Sequence, residues 1–74
     1  MAKSNSELLD RPITELGLGR EFEAVTEMLG FFTLADLARH KTSHLLELPG
    51  FSLGLLYTYV SFMEANRMGN LIDP

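Results

Sequence analysis

Residues Leu45 to Tyr59 constrain this chain more than any other stretch. They read Leu45-Leu46-Glu47-Leu48-Pro49-Gly50-Phe51-Ser52-Leu53-Gly54-Leu55-Leu56-Tyr57-Thr58-Tyr59. Proline lacks a backbone donor and clashes with a preceding helical turn, so a helix must stop near Pro49. Gly50 can take the positive φ that ends a helix. Ser52 is a good N-cap, because its oxygen can accept from the first unpaired amides of a new helix. Leu48 and Phe51 flank the turn and can pack on each other. The stretch therefore reads as a short helix, a tight turn and a longer helix. The amides of such a turn, with the N-terminus of the second helix, suit a nucleic-acid phosphate. The charge around the turn decides whether they are used that way.

The chain has 74 residues, room for one domain. A chain this short buries about 60% of its unfolded surface. A core of that size supplies roughly 3–5 kcal/mol. Cysteine is absent, which excludes disulfides and thiolate metal sites and fits the cytoplasm. No apolar run approaches a membrane span of about 20 residues. The polar opening Met1-Ala2-Lys3-Ser4-Asn5-Ser6 has no signal-peptide core. The net charge is −4, from 6 basic and 10 acidic side chains. A module that lives on phosphate contacts usually carries the opposite sign.

Along the chain, residues 1–7 read as a flexible tail and 8–74 as a single domain. Leu8, Leu9, Ile13 and Leu16 mark a short helical turn or an ordered strap, with Pro12 suited to a first turn. Gly17-Leu18-Gly19 breaks it. The next helix spans about Arg20 to Leu29, with Phe22, Val25, Met28 and Leu29 as its apolar face. Gly30 ends it. Thr33-Leu34-Ala35-Asp36 opens another helix with a capping-box pattern, running to about His40. Thr42 or Ser43 caps a helix carrying Leu45, Leu46 and Leu48. The last helix runs from about Leu53 to Arg67 and closes at Met68-Gly69-Asn70, after which Leu71-Ile72 can pack back. No strand pattern or repeat competes. The expected class is all-α, a compact bundle of four to five short helices. Its expected core is Leu16, Phe22, Val25, Leu29, Leu34, Leu37, Leu45, Leu46, Leu48, Leu56, Tyr59 and Met63.

Arg11-Pro12-Ile13-x-x-Leu16, then Gly30-Phe31-x-Thr33-Leu34-x-Asp36-Leu37, then Leu45-Leu46-x-Leu48-Pro49 make an ordered set. The set resembles the C-terminal domain of the bacterial RNA polymerase alpha subunit, from about Leu8 to Leu71. The resemblance implies a SAM-like helix-hairpin-helix fold of four short helices after a strap. It also implies a role in transcription: minor-groove DNA binding and docking on activators and sigma factor. The family's DNA-contacting residues carry over poorly. Glu21 aligns with its groove-entering arginine, with Arg20 one residue off, and Ala24 aligns with its asparagine. The family's hairpin reads Asn-Leu-Gly-Lys-Lys-Ser, against Gly50-Phe51-Ser52-Leu53-Gly54-Leu55 here, so Leu53 and Gly54 replace both lysines. No assembly domain precedes Met1, so the expectation is a relative or a detached module.

His40 and His44 could suggest a metal pair, but a helix break lies between them and no third ligand clusters nearby, so no metal is expected. Ser52 and Ser61 lack a histidine–carboxylate partner, and so small a core rarely offers a catalytic pocket. The expectation is a non-enzyme with no cofactor, no small-molecule substrate and no membrane. Glu21, Glu23 and Glu27 form either a deliberate acidic face for a basic partner or a solvated helix surface.

Two functions stay open. One is a protein–protein interaction module on this scaffold, linked to transcription or DNA transactions. The other is a weak nucleic-acid binder using Arg20, Gly50, Phe51, Ser52 and Gly54. The absence of cations at positions 53–55 favours the first. Its candidate surface lies on the last helix. Leu55, Leu56, Tyr59, Phe62 and Met63 form the face the fold must bury, while Leu53, Tyr57 and Val60 extend the apolar arc well beyond it. Those three are either a contact surface, for another protein or a second copy, or are covered by the strap 8–18 or by Leu71-Ile72.

Overall fold

Glycines and prolines set several of the breaks, and the helices between them are short. The computed structural model describes residues 4–72. Helix α1 spans Ser4–Asp10, α2 Arg20–Met28, α3 Leu34–Ala38, α4 Thr42–Leu45 and α5 Leu53–Ala65. Single 3-10 turns at Ile13–Glu15 and Gly69–Leu71 complete the order. Among the described residues there is no strand, only one isolated antiparallel bridge between Pro12 and Thr33. The chain is all-helical. Helix α1 starts within the stretch read as a flexible tail, so residues 4–7 are helical. The tail expectation for residues 1–3 lies outside the described residues. Leu8 and Leu9 of α1 pack against the core, and α1 lies against α3.

The link from α2 to α3 is held almost entirely by backbone groups and one carboxylate. Gly30, at φ 86°, closes α2, and the Phe31 amide donates to the Thr26 carbonyl at 2.8 Å. The capping box expected at Thr33 forms: the Asp36 amide donates to the Thr33 hydroxyl, and the Thr33 amide donates to Asp36 Oδ2 at 3.1 Å. The same oxygen also accepts from the Phe32 amide at 2.9 Å. In turn the Phe32 carbonyl accepts from the Ile13 amide at 2.9 Å. One side chain thus ties the strap after α1 to the start of α3.

The core holds Ile13, Phe22, Leu34, Leu37, Leu45, Phe51, Leu55, Tyr59, Met63 and Met68. Of the expected core, Leu16, Val25, Leu29, Leu48 and Leu56 are half-buried against it. Leu46 is not core and is 37% exposed. It caps the single turn of α4, about 100° around the axis from buried Leu45. Neither Thr42 nor Ser43 caps α4. Lys41 stands at the N-cap in extended backbone with no side-chain bond, and Thr42 is already helical. On α2, Met28 is 68% exposed while Thr26 is buried. Thr26 lies about 40° from Phe22 around the axis and Met28 about 120° away. The Thr26 hydroxyl stays buried because it donates to the Phe22 carbonyl at 2.8 Å.

Helices α3 and α5 are shorter than expected, ending at Ala38 and Ala65. Arg67 takes φ 62°, the Met68 amide reaches back to the Met63 carbonyl at 2.7 Å, and the Arg67 amide to that of Glu64. This is a Schellman closure, usually made with glycine at that position. It buries Met68 beneath the end of α5.

The hydrogen bond from the Phe32 amide is the largest influence on Asp36 and, with those from Thr33, holds its carboxyl below the ordinary 3.8 against opposing desolvation. Arg39 adds a favourable charge. Asp36→Ala should lower unfolding free energy by about 0.5–2 kcal/mol in urea titrations near pH 7. A depressed carboxylate contributes stability fully present above its unfolded pKa of 3.8 and lost as pH falls through the lower folded value. The gap between wild type and Asp36→Ala should therefore narrow in titrations carried below pH 3.8.

Candidate functional site

The Pro49–Gly50 turn forms as its residues dictate. Gly50 sits at φ 85°, and the Phe51 amide closes back on the Leu48 carbonyl at 3.1 Å. Ser52 is extended and accepts from the Leu55 amide at 3.2 Å, capping α5. The turn rests on α2: a methyl group added to Gly50 would lie 3.5 Å from Met28 Cε and 3.6 Å from Val25 Cγ1. Phe51 buries its ring edge-on against Phe22, with centroids 6.4 Å apart.

These bonds decide which candidate phosphate contacts are available. The amides of Phe51 and Leu55 are engaged, and the Phe51 side chain is core. Leu53 and Gly54, as the first two residues of α5, are the positions whose amides no helical carbonyl can reach. Arg20 is exposed at the start of α2, whereas the turn packs on Val25 and Met28, a full helical turn or more further along. Where Leu53 stands, a helix start of this kind would need a cation to hold phosphate firmly.

What projects beside the turn is apolar. Leu53 is 73% and Tyr57 74% exposed. They lie four residues apart, on one side of α5. Neither the strap nor Ile72, both packed on the core, covers them. Val60 departs from the expected stripe: it is half-buried and packs against the core. Around α5 it lies only about 40° from half-buried Leu56, so the core's edge reclaims it. Leu53 lies near the same angle but is the first residue of the helix and is exposed. Met28, whose Cε lies beside the turn at Gly50, is 68% exposed although the expected apolar face of α2 includes it. Its angle from Phe22 was the signal that placed it outside.

The chemistry-bearing side chains elsewhere are structurally engaged. His40 and His44 stack with centroids 5.1 Å apart and planes 11° apart, and Phe31 packs on His40 at 5.4 Å. Ring lone pairs lie in the ring planes, so stacked rings do not converge on one ion. Among the described residues no group of three or more His, Asp or Glu could hold a metal. No described helix is long and apolar enough to cross a membrane. The Tyr59 hydroxyl is buried with no hydrogen-bond partner among the described residues, and burial pushes its pKa up to about 12. No protein-family model, curated protein or solved structure matches the chain.

An unpartnered buried hydroxyl costs about 1–3 kcal/mol. Tyr59→Phe should therefore keep the fold and raise unfolding free energy within that range, read by denaturant titration at pH 7. Tyr59's folded pKa lies above its unfolded value, so its contribution is fully present below pH 10.0 and is lost as pH rises toward about 12. Across that window wild type should lose more stability than Tyr59→Phe.

Proposed function

We propose that the chain is a non-catalytic protein-interaction module. Its scaffold in this reading is an RNA polymerase alpha C-terminal-domain-like helix-hairpin-helix, and its work belongs to bacterial transcription or DNA transactions in the cytoplasm. The observation that carries the interaction role is the pair Leu53 and Tyr57, 73% and 74% exposed at the start of α5, where a phosphate-binding copy needs cations. Exposed aliphatic and tyrosine side chains on a rigid helix suit a protein interface, since a tyrosine ring packs while its hydroxyl stays wet. The net charge of −4 supports the same reading. The partner class is another protein or a second copy of the chain.

A second reading, weak duplex binding through the turn, draws on the Leu53 and Gly54 amides at the start of α5. With no cation at positions 53–55 the contact would be feeble and lost to salt.

The first reading is tested by Leu53→Glu with Tyr57→Glu. Both side chains are exposed, so the helical circular-dichroism signal and melting should be kept. Association in light scattering, or capture of a partner in pull-downs, should be lost. Unchanged association would remove this surface from the reading.

For duplex DNA, fluorescence anisotropy in about 150 mM salt should give no submicromolar binding, since non-specific binders typically sit at about 10⁻⁴–10⁻⁶ M. Glu21→Arg with Leu53→Lys and Gly54→Lys should raise DNA affinity. Gly54 has space for the added side chain, the nearest atom to a new Cβ being Ser52 Oγ at 3.7 Å. Failure of the triple variant to gain affinity would count against the scaffold.

A further inference from the structure

A second feature lies on the other side of α2. The strap, α2 and the α2–α3 link enclose an open cleft of about 150 Å³. Its walls are Ile13 and Pro12 from the strap, Phe31 and Phe32 from the link, and Glu23 and Glu27 from α2. Ligand pockets for drug-sized molecules run to about 300–1,000 Å³, so this one suits a single side chain. Its lining is mostly apolar, yet its charge is entirely negative. Glu23 and Glu27 are one turn apart on the same face, where like charges repel. Phe32 is 62% exposed although its backbone is pinned on both sides, the amide to Asp36 and the carbonyl to the Ile13 amide. The cleft therefore presents an aromatic ring on a fixed backbone beside two carboxylates.

We infer that this cleft docks an arginine side chain from a basic, apolar peptide segment of another protein. The guanidinium matches both halves of the lining. Its plane stacks on an aromatic ring and its forked donors pair with carboxylates, which a lysine ammonium does less well. The apolar walls at Pro12, Ile13 and Phe31 accept the arginine stem and an aliphatic neighbour. The overall charge of −4 draws a basic segment toward the chain. This inference deepens the interaction reading by naming a partner chemistry, but uses different residues from Leu53 and Tyr57.

The test uses the full chain and two fluorescein-labelled peptides of alternating leucine and arginine, one with every arginine replaced by neutral, near-isosteric citrulline. Amide chemical shifts of the ¹⁵N-labelled protein locate the contact, and anisotropy gives the affinity. The arginine peptide should shift residues 12–14, 23–27 and 31–33. Its binding should weaken at least tenfold in the citrulline peptide, in Glu23→Gln with Glu27→Gln, and in Phe32→Ser. It should persist in Leu53→Glu with Tyr57→Glu, which separates failure here from failure of the α5 surface. A preserved circular-dichroism spectrum in each variant guards against unfolding. Equal binding of both peptides, shifts confined to α5 and the turn, no binding, or binding indifferent to the two glutamates would each overturn the inference. So would loss of a self-association in Glu23→Gln with Glu27→Gln, which would make a second copy the occupant.

Discussion

The Asp36 carboxylate is the interaction on which most of this small structure depends. One of its oxygens accepts from two successive amides, those of Phe32 and Thr33. That fixes the direction in which the chain enters α3, a helix of one and a half turns that could not hold itself together alone. It also turns the Phe32 carbonyl toward the Ile13 amide, so the strap is anchored by the same few atoms. From this junction Leu34 and Leu37 project into the core and α1 gains a surface to pack on. A domain with so little core relies on such polar closures, because each unmet amide would weigh heavily against a few kcal/mol of net stability.

The Pro49–Gly50 turn solves a similar problem at the other end of the core. It places Phe51 against Phe22 and lets Ser52 start α5 without a gap. The same geometry turns Leu55 into the core and leaves the other side of the first turn of α5 exposed. Side chains on that side meet solvent or a partner. Here they are Leu53 and, one turn on, Tyr57, so a helix start whose backbone suits an anion carries side chains that suit a protein. The proposed interaction role rests on that contradiction between backbone and side chains.

Helix α2 connects the two regions. Phe22, Thr26 and Leu29 keep it on the core, Met28 leans against the turn, and Glu23 and Glu27 face the cleft. The three glutamates, which the sequence leaves as either an acidic face or a solvated helix surface, are therefore divided. Two line one cavity, and Glu21 stands exposed apart from it.

Local chemistry was legible in the sequence wherever a single residue dictates it. Gly30 and Gly50 set helix ends, Thr33 and Asp36 made a capping box, Ser52 capped α5, and the all-helical class followed from the 3.6-residue period. Burial was less legible, because it depends on angle and on what lies opposite. Thr26 is polar yet better aimed than Met28, and its hydroxyl could be buried only because a helical carbonyl was within reach. Leu46 is apolar but one step around from the core, and Val60 falls just inside its edge. Met68 became core through a left-handed Arg67, a conformation that sequence disfavours and packing imposes. The cleft was decided by tertiary structure alone. Its walls come from segments that meet only because Ile13 bonds to Phe32, and no local pattern encodes a contact between residues so far apart along the chain.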